Sequence, residues 1–438
     1  MSSKITFMLY YSTNHISPKV NFKEATVKGQ APDKGLYFPE SIPRLSEDFI
    51  RNIDKYSKEE IAFMVIQPYI GDVIHKNELE RIVSETINFE FPLVNVEDNI
   101  FSLELFHGPT LAFKDVGARF MSRCLSYFVK NNDKNITVLV ATSGDTGGAV
   151  ANGFYDVDGV DVIILYPSGK VSTVQELQLT TPGKNITALE IDGTFDECQL
   201  MVKQAFADEG LNKKILLSSA NSINIARWLP QQFYYFFAYQ QWKEKNLPVI
   251  SVPSGNFGNI CAGILAHLSG LPAQHFIAAC NANNVVPEYL KTENYLPKPS
   301  ITTLSNAMDV GSPSNFVRIL ELFDQKFNSL RNIMSSYSIS DEETKIVLKE
   351  VFLNKKYLLD PHGAVAYLAL KKYLQDNPLH KGIFLETAHP VKFYDVVEPI
   401  IQQTVPMPGE INDLIKMKKH SIKIEAKYDA LKDYLLTK

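Results

Sequence analysis

The chain has 438 residues, of which 45% are hydrophobic and 21% charged, and it carries a net charge of −5. Length and mixture are those of a soluble globular protein with two or three domains, and the acidic balance, with no basic block, argues against a nucleic-acid partner. The four cysteines (Cys124, Cys198, Cys261, Cys280) form no C-x-x-C pair and the nine histidines no H-E-x-x-H, so buried thiols in a reducing cytoplasm are expected, and no metal site.

Residues 1–90 read as a leader region. Its apolar run, 7–11, is too short for a signal segment or a membrane span. Ser57-Lys58-Glu59-Glu60 predicts a capping box at the start of a helix, and a second helix is predicted over 77–85. From residue 91 the pattern becomes strand, glycine-bearing turn, helix. Residues 101–105 alternate as a strand, Gly108-Pro109 turns the chain, and the apolar spacing of 116–124 predicts a helix. Lys114 then falls in the first helical turn, where the helix dipole disfavours a cation by about 0.3–1 kcal/mol. Two readings follow: a solvated surface lysine, or an amine meant to be neutral and nucleophilic, as in a Schiff base with an aldehyde cofactor.

The alternation continues. Strands are predicted over 136–140, 162–166, 186–191, 215–217, 249–252 and 382–386, and helices over 149–155, 172–179, 195–206, 233–242, 260–268, 316–323, 341–354 and 363–374. Such an order implies an α/β fold with open, mostly parallel sheets covered by helices, whose ligands bind at the carboxyl ends of the strands. Three strand-to-helix turns lie there. Ser254-Gly255-Asn256-Phe257-Gly258-Asn259 can bring backbone N–H groups and a helix start to a phosphate, or be a plain turn. It matches neither a Rossmann nor a P-loop pattern. Ser143-Gly144-Asp145-Thr146 offers hydroxyls and N–H groups to a carboxylate, with Asp145 or Thr146 expected to cap the next helix. Asn224 and Arg227 share a helix face, where the arginine either clamps an anion or makes a structural ion pair. Thr387 ends the last strand, and His362 reads as a turn or helix-cap residue.

Together these motifs resemble the threonine synthases, fold-type II pyridoxal 5'-phosphate (PLP) enzymes, in their longer subfamily with an N-terminal domain. The resemblance spans nearly the whole chain: Ala31-Pro32-Asp33-Lys34-Gly35-Leu36, Pro109-Thr110-Leu111-Ala112-Phe113-Lys114-Asp115, Thr142-Ser143-Gly144-Asp145-Thr146-Gly147, Ser222-Ile223-Asn224-Ile225-Ala226-Arg227, Pro253-Ser254-Gly255-Asn256-Phe257-Gly258-Asn259, Asp309-Val310-Gly311-Ser312-Pro313-Ser314-Asn315, Asp360-Pro361-His362 and Thr387-Ala388-His389-Pro390. It departs where the family often reads Tyr-x-Ser-Thr-Arg-Gly; here Tyr10-Tyr11-Ser12-Thr13 continues with Asn14-His15.

The resemblance implies an N-terminal domain (1–90), a large PLP-binding domain (91–118 with 215–438) and a small α/β domain (119–214) of a tryptophan synthase β-like fold. It implies a lyase in which Lys114 holds PLP, Ser254 and Gly255 to Asn259 cradle the cofactor's phosphate, and Thr387 meets the pyridine nitrogen. The substrate is then O-phosphohomoserine: Lys114 takes the Cα proton, phosphate leaves from Cγ and water adds at Cβ to give threonine. Ser143, Gly144, Asp145, Thr146, Ser222, Asn224, Arg227, Ser314 and Asn315 are the implied substrate contacts. The alternatives are another fold-type II lyase (a serine/threonine dehydratase or a cysteine synthase) and a non-catalytic, threonine-synthase-like binding protein. A cytoplasmic monomer or weak homo-oligomer is expected.

Overall fold

The computed structural model describes residues 8–130 and 135–437; Phe7, which opens the short apolar run near the N-terminus, lies outside them. In chain order the strands are β1 (Tyr10–Ser12), β2 (Tyr37–Pro39), β3 (Leu93–Glu97), β4 (Ile100–Glu104), β5 (Ile136–Ala141), β6 (Val160–Pro167), β7 (Ile186–Asp192), β8 (Leu216–Ser219), β9 (Val249–Pro253), β10 (His275–Cys280), β11 (Met334–Ser338), β12 (Gly382–Glu386) and β13 (Ile422–Glu425). β1 and β2 form an antiparallel pair of their own. A six-stranded sheet has the order β11-β10-β9-β12-β4-β3, parallel except for the antiparallel edge strand β3, and a five-stranded sheet, β13-β7-β6-β5-β8, is parallel throughout.

The central strands are continuous apolar runs because both of their faces are covered. β6 illustrates this. Val162 and Ile164 point into the main core with the first helices of the chain, while Ile163 and Leu165 face Met201 and Leu431 on the other side. β12 divides likewise, with Ile383 and Leu385 on one face and Phe384 on the other. Helices therefore flank both sheets, as expected of fold-type II.

Among the described residues the leader region shares the main core: Tyr10, Phe22, Tyr69 and Ile82 pack with β5 and helix Phe233–Gln241. The expected capping box is present. Ser57 Oγ accepts from Glu60 N, and Glu60 reaches back to Ser57 N, at the start of helix Lys58–Ile70. His15, in the segment where the sequence departs from the Tyr-x-Ser-Thr-Arg-Gly pattern, takes a left-handed backbone (φ +58°). That conformation costs a non-glycine residue roughly 1–2 kcal/mol. The turn is held by Asp33, which accepts from Ser12 Oγ (2.6 Å), Ile16 N (3.1 Å) and Ser17 N (2.9 Å).

Two features differ from the sequence reading. β8 and β13 lie in the segment assigned to the large domain, yet both pair in the five-stranded sheet. The chain returns to that sheet at its end, and no local pattern encodes such a return. The strands β10, β11 and β13 were not expected either. β10 carries Ala278-Ala279 and β11 reads Met-Ser-Ser-Tyr-Ser, residues of weak strand preference that sit there because the neighbouring strand offers its ladder.

Candidate active site

Three strand ends meet at one cavity of about 510 Å³. Ala141 and Thr142 lead out of β5, Pro253 and Gly255 out of β9, and Thr387 out of β12, and all of them line it. This is the carboxyl edge of both sheets, where α/β proteins bind ligands.

Lys114 opens helix Lys114–Val129 and lines the cavity. The loop before it is strapped to the end of β12. Phe113 N donates to Thr387 O (2.9 Å), His389 N donates to Leu111 O (3.0 Å), and Ala112 bridges Ala388. Lys114 and Thr387, 273 positions apart in the chain, are thereby brought to one edge. Asp115 braces the loop by accepting from Thr110 N (2.9 Å) and Thr110 Oγ1 (2.5 Å). Burial is the main force on the Lys114 amine and, with Arg227 and Lys392 nearby, outweighs the opposing pull of Asp145, so that its pKa falls from 10.5 to about 8.

The β9 loop is the second component. Phe257 takes a left-handed φ of +62° at the start of helix Gly258–Leu268, and no side chain caps that helix. A Cβ on Gly255 would lie 2.6 Å from Met308 Cα, so only glycine lets the loop pass this close to its neighbour. Behind the loop, Asn256 Nδ2 donates to Ser222 Oγ (2.8 Å), Asn256 Oδ1 accepts from Ser314 N (2.6 Å), and Asn315 Nδ2 donates to Ser222 Oγ (3.0 Å) and Asn256 O (3.2 Å). The turn thus presents Gly255, Asn256, Phe257, Gly258 and Asn259 to the cavity as a rigid cradle for an anion.

The third wall follows β5. Ser143, Asp145 and Thr146 line the cavity, whereas Gly144 does not. Neither Asp145 nor Thr146 caps the helix; Asp145 is instead the first residue of helix Asp145–Gly153. Thr142 organises the turn, its Oγ1 accepting from Gly144 N (3.0 Å) and Gly147 N (2.8 Å). Gly144 has φ +139°, and a Cβ there would fall 2.4 Å from the Gln175 amide. Gln175 Nε2 can therefore reach Asp145 Oδ1 (2.9 Å), which also pairs with Lys392 Nζ (2.7 Å). Burial alone would raise Asp145, but Lys392 and Lys114 hold its carboxyl well below the usual carboxylate range.

Several expected contacts sit elsewhere. Asn224 is fully buried away from the cavity; it caps helix Ile225–Trp228 and donates to Thr26 O (2.9 Å) and Ser219 O (3.0 Å). Asn315 and Ser254 also lie behind the lining, Ser254 Oγ donating to Val252 O (2.8 Å). Ser222, Ser314 and Arg227 do line the cavity. Arg227 donates to Ala220 O, and its buried Nε has no acceptor among the described residues. Burial brings its pKa to about 10.

The sequence reading missed Thr142, Gln175, Lys392 and Arg318. The last is wholly buried, stacks on Trp228 (4.5 Å) and donates to Tyr37 O, Ser222 O, Ile223 O and Asn315 Oδ1. It thereby ties the leader region to the residues behind the cradle. Thr142 stands inside one of the motifs named above, without a role of its own there; the other three carry no local motif, and only their burial marks them. His362 lines the cavity in the first turn of helix Pro361–Asp376. Ala307 N can only donate, so His362 Nε2 is the acceptor (3.2 Å), leaving the ring's Nδ1–H for Asp360 Oδ1 (2.5 Å).

The chain matches three family profiles: pyridoxal-phosphate dependent enzyme over residues 91–386, threonine synthase N terminus over 9–87, and threonine synthase, C-terminal, over 363–435. It is 45% identical to the threonine synthase of Buchnera aphidicola subsp. Baizongia pistaciae, over 98% of this chain and all of that protein. Its structure is similar to the crystal structure of threonine synthase from Escherichia coli (TM-score 0.93, 43% identity, covering 98% of this chain and 100% of that one). It is also similar to the PLP-bound threonine synthase from Brucella melitensis (TM-score 0.90, 34% identity, covering 98% of each). The three profiles, together with full-length likeness to these proteins, place this chain in the threonine synthase family of PLP-dependent enzymes.

Proposed function

We propose a division of labour among the cavity residues for the threonine synthase reaction, in which O-phosphohomoserine and water give L-threonine and phosphate. The observation that carries it is the strap between residues 111–113 and 387–389, which brings Lys114 and Thr387 to one cavity also lined by the β9 loop. The donor set fits PLP. The loop 255–259 and the start of helix Gly258–Leu268 offer N–H groups to a phosphate, Lys114 offers an amine to an aldehyde, and Thr387 offers a hydroxyl to the ring nitrogen. The bound cofactor supplies an electron sink that stabilises a carbanion at the substrate's α-carbon.

The remaining chemistry belongs to the chain. At a pKa of about 8, about one Lys114 in ten is neutral at pH 7, against ~1 in 2,000 for an ordinary lysine. Lys114 Nζ can therefore accept the Cα proton and hold it for return to the carbon chain, while the Cγ–O bond breaks and water adds at Cβ. Arg227, whose side chain lines the cavity, holds the substrate's phosphate. Ser143, Thr146 and the N–H groups opening helix Asp145–Gly153 hold its carboxylate. Asp145 cannot serve that carboxylate, because it is negative and already paired with Lys392. The protein works in this reading as a cytoplasmic monomer or weak homo-oligomer on a small molecule alone. The four cysteines, all free and buried, suit a reducing compartment, and no helix among the described residues is long and apolar enough to cross a membrane.

The test is turnover. The protein should release phosphate from O-phosphohomoserine with one threonine formed per phosphate. Lys114→Ala should lose the PLP colour that borohydride bleaches and at least ~10³-fold in rate, the range expected of an acid–base group. Turnover of serine in place of O-phosphohomoserine, or a Lys114→Ala protein that keeps its rate, would overturn the reading.

A further inference from the structure

At the cavity a fully buried lysine, Lys392, and the partly buried Lys114 share the influence of one carboxylate, Asp145. Lys392 lies in the short turn Pro390–Phe393, just past Thr387. Its side chain is 0% exposed, and that of its partner Asp145 is 4% exposed. Lys392 Nζ lies 2.7 Å from Asp145 Oδ1 and donates to Thr110 O (2.8 Å), four residues before Lys114. Gln175 Nε2 holds the same Asp145 oxygen (2.9 Å), and Gln178 Nε2 holds the same Thr110 carbonyl (3.1 Å). One small network therefore joins the start of helix Asp145–Gly153, helix Thr173–Thr180, the end of the β12 segment and the Lys114 loop.

We propose that Lys392 is a positioning residue that captures Asp145 and so denies Lys114 a counter-ion, leaving the Lys114 amine free to react. The inference rests on the assignment of Lys114 as the reactive amine. The physical reason is competition. A buried lysine without a partner sheds its proton, whereas one beside a free carboxylate keeps it. The charged groups acting on Lys114 are Asp145, Arg227 and Lys392, from three different elements, and two of the three are positive. Asp115, on its own helix, is occupied by Thr110. Farther round the cavity stand Asp196 and Lys203 on helix Phe195–Ala207, Lys298 and Asp309 in the loop opposite, and His362. Without Lys392, Asp145 would be left to turn to Lys114. A merely structural salt bridge would stabilise the fold without affecting the reactivity of Lys114, and this difference is measurable.

The experiment is competitive acetylation of the full-length protein, freed of PLP, across a pH series, with Lys114 quantified by mass spectrometry. In Lys392→Met, Lys114 should label about tenfold more slowly at pH 7.5, a rise of about one unit in its midpoint. Lys392→Met/Asp145→Asn, which removes both charges, should return to within about half a unit of wild type, and Lys392→Arg should match wild type. An unmoved midpoint in Lys392→Met, or a double variant as slow as the single, overturns the proposal. If Lys392→Met does not fold, Lys392→Gln, which removes the charge but keeps an N–H donor for Asp145 and Thr110, is read in its place: slowed Lys114 labelling supports the proposal and wild-type labelling overturns it. The wild type tests the underlying assignment separately. A Lys114 that labels like a surface lysine defeats that assignment, whereas a low wild-type midpoint with no response to Lys392→Met defeats this proposal alone.

Discussion

The two walls of the cavity are built differently. The wall from the six-stranded sheet is held mostly by hydrogen bonds between neutral groups: Asn256, Ser222, Ser314 and Asn315 bond one another, backed by the buried guanidinium of Arg318, which has no carboxylate partner among the described residues and reaches mostly backbone carbonyls. The wall from the five-stranded sheet is organised around a charge, Asp145, held by Lys392 and Gln175. The contrast fits the two tasks. A resident cofactor needs a cradle whose shape does not depend on protonation, because neutral partners do not titrate near neutral pH. A proton-transferring lysine needs a field, and ions supply one.

The largest expected effect concerns that field. Unfolded, Lys114 keeps its proton up to its ordinary 10.5; folded, it loses it at about 8. Between those values the unfolded chain binds more protons, so the stability of the cofactor-free protein rises with pH across this window, and the full cost of about 3 kcal/mol is present below it. Urea denaturation at pH 7.5 and 10 should show that rise in wild type and not in Lys114→Met; equal slopes would remove the charged wall from the account.

Next comes the cradle. Gly255→Ala puts a methyl against the backbone at Met308, and overpacking of this kind costs roughly 1–3 kcal/mol. PLP affinity should fall roughly 10- to 100-fold with little change in the KM of enzyme saturated with PLP. Ser143→Ala, on the other wall, should do the reverse: PLP retention unchanged and KM for O-phosphohomoserine raised up to ~10-fold, the worth of one hydrogen bond. A Ser143→Ala protein that loses PLP would blur the distinction between the walls. The smallest effect on turnover belongs to Asn224→Ala. It removes a helix cap and a tie to Thr26, so thermal unfolding should show a loss of ~1 kcal/mol, with kcat and KM as in wild type.

Much of this was legible in the chain. Apolar runs bounded by glycine turns announced β5, β6, β9 and β12, because a strand buried on both faces has no polar positions to blur it. The glycines after β9 marked a turn able to approach an anion, while the roles expected of that turn and of Thr387 came with the family resemblance. The strands β10, β11 and β13 were not legible, since their partners, more than their composition, make them strands.

The sequence by itself determined the alternating fold through local spacing and the family through the resemblance of several separated motifs, and that resemblance is what singled out Lys114 as a candidate reactive amine. Only the tertiary structure decided which motif residues face the cavity. Asn224 and Asn315 sit inside motifs as distinct as that of Ser222, yet both point into protein. It alone also revealed Lys392, a lysine without a motif, whose importance comes from the carboxylate the fold sets 2.7 Å away. A periodicity records which face of an element is apolar; which charge meets which is settled only when two sheets close on each other.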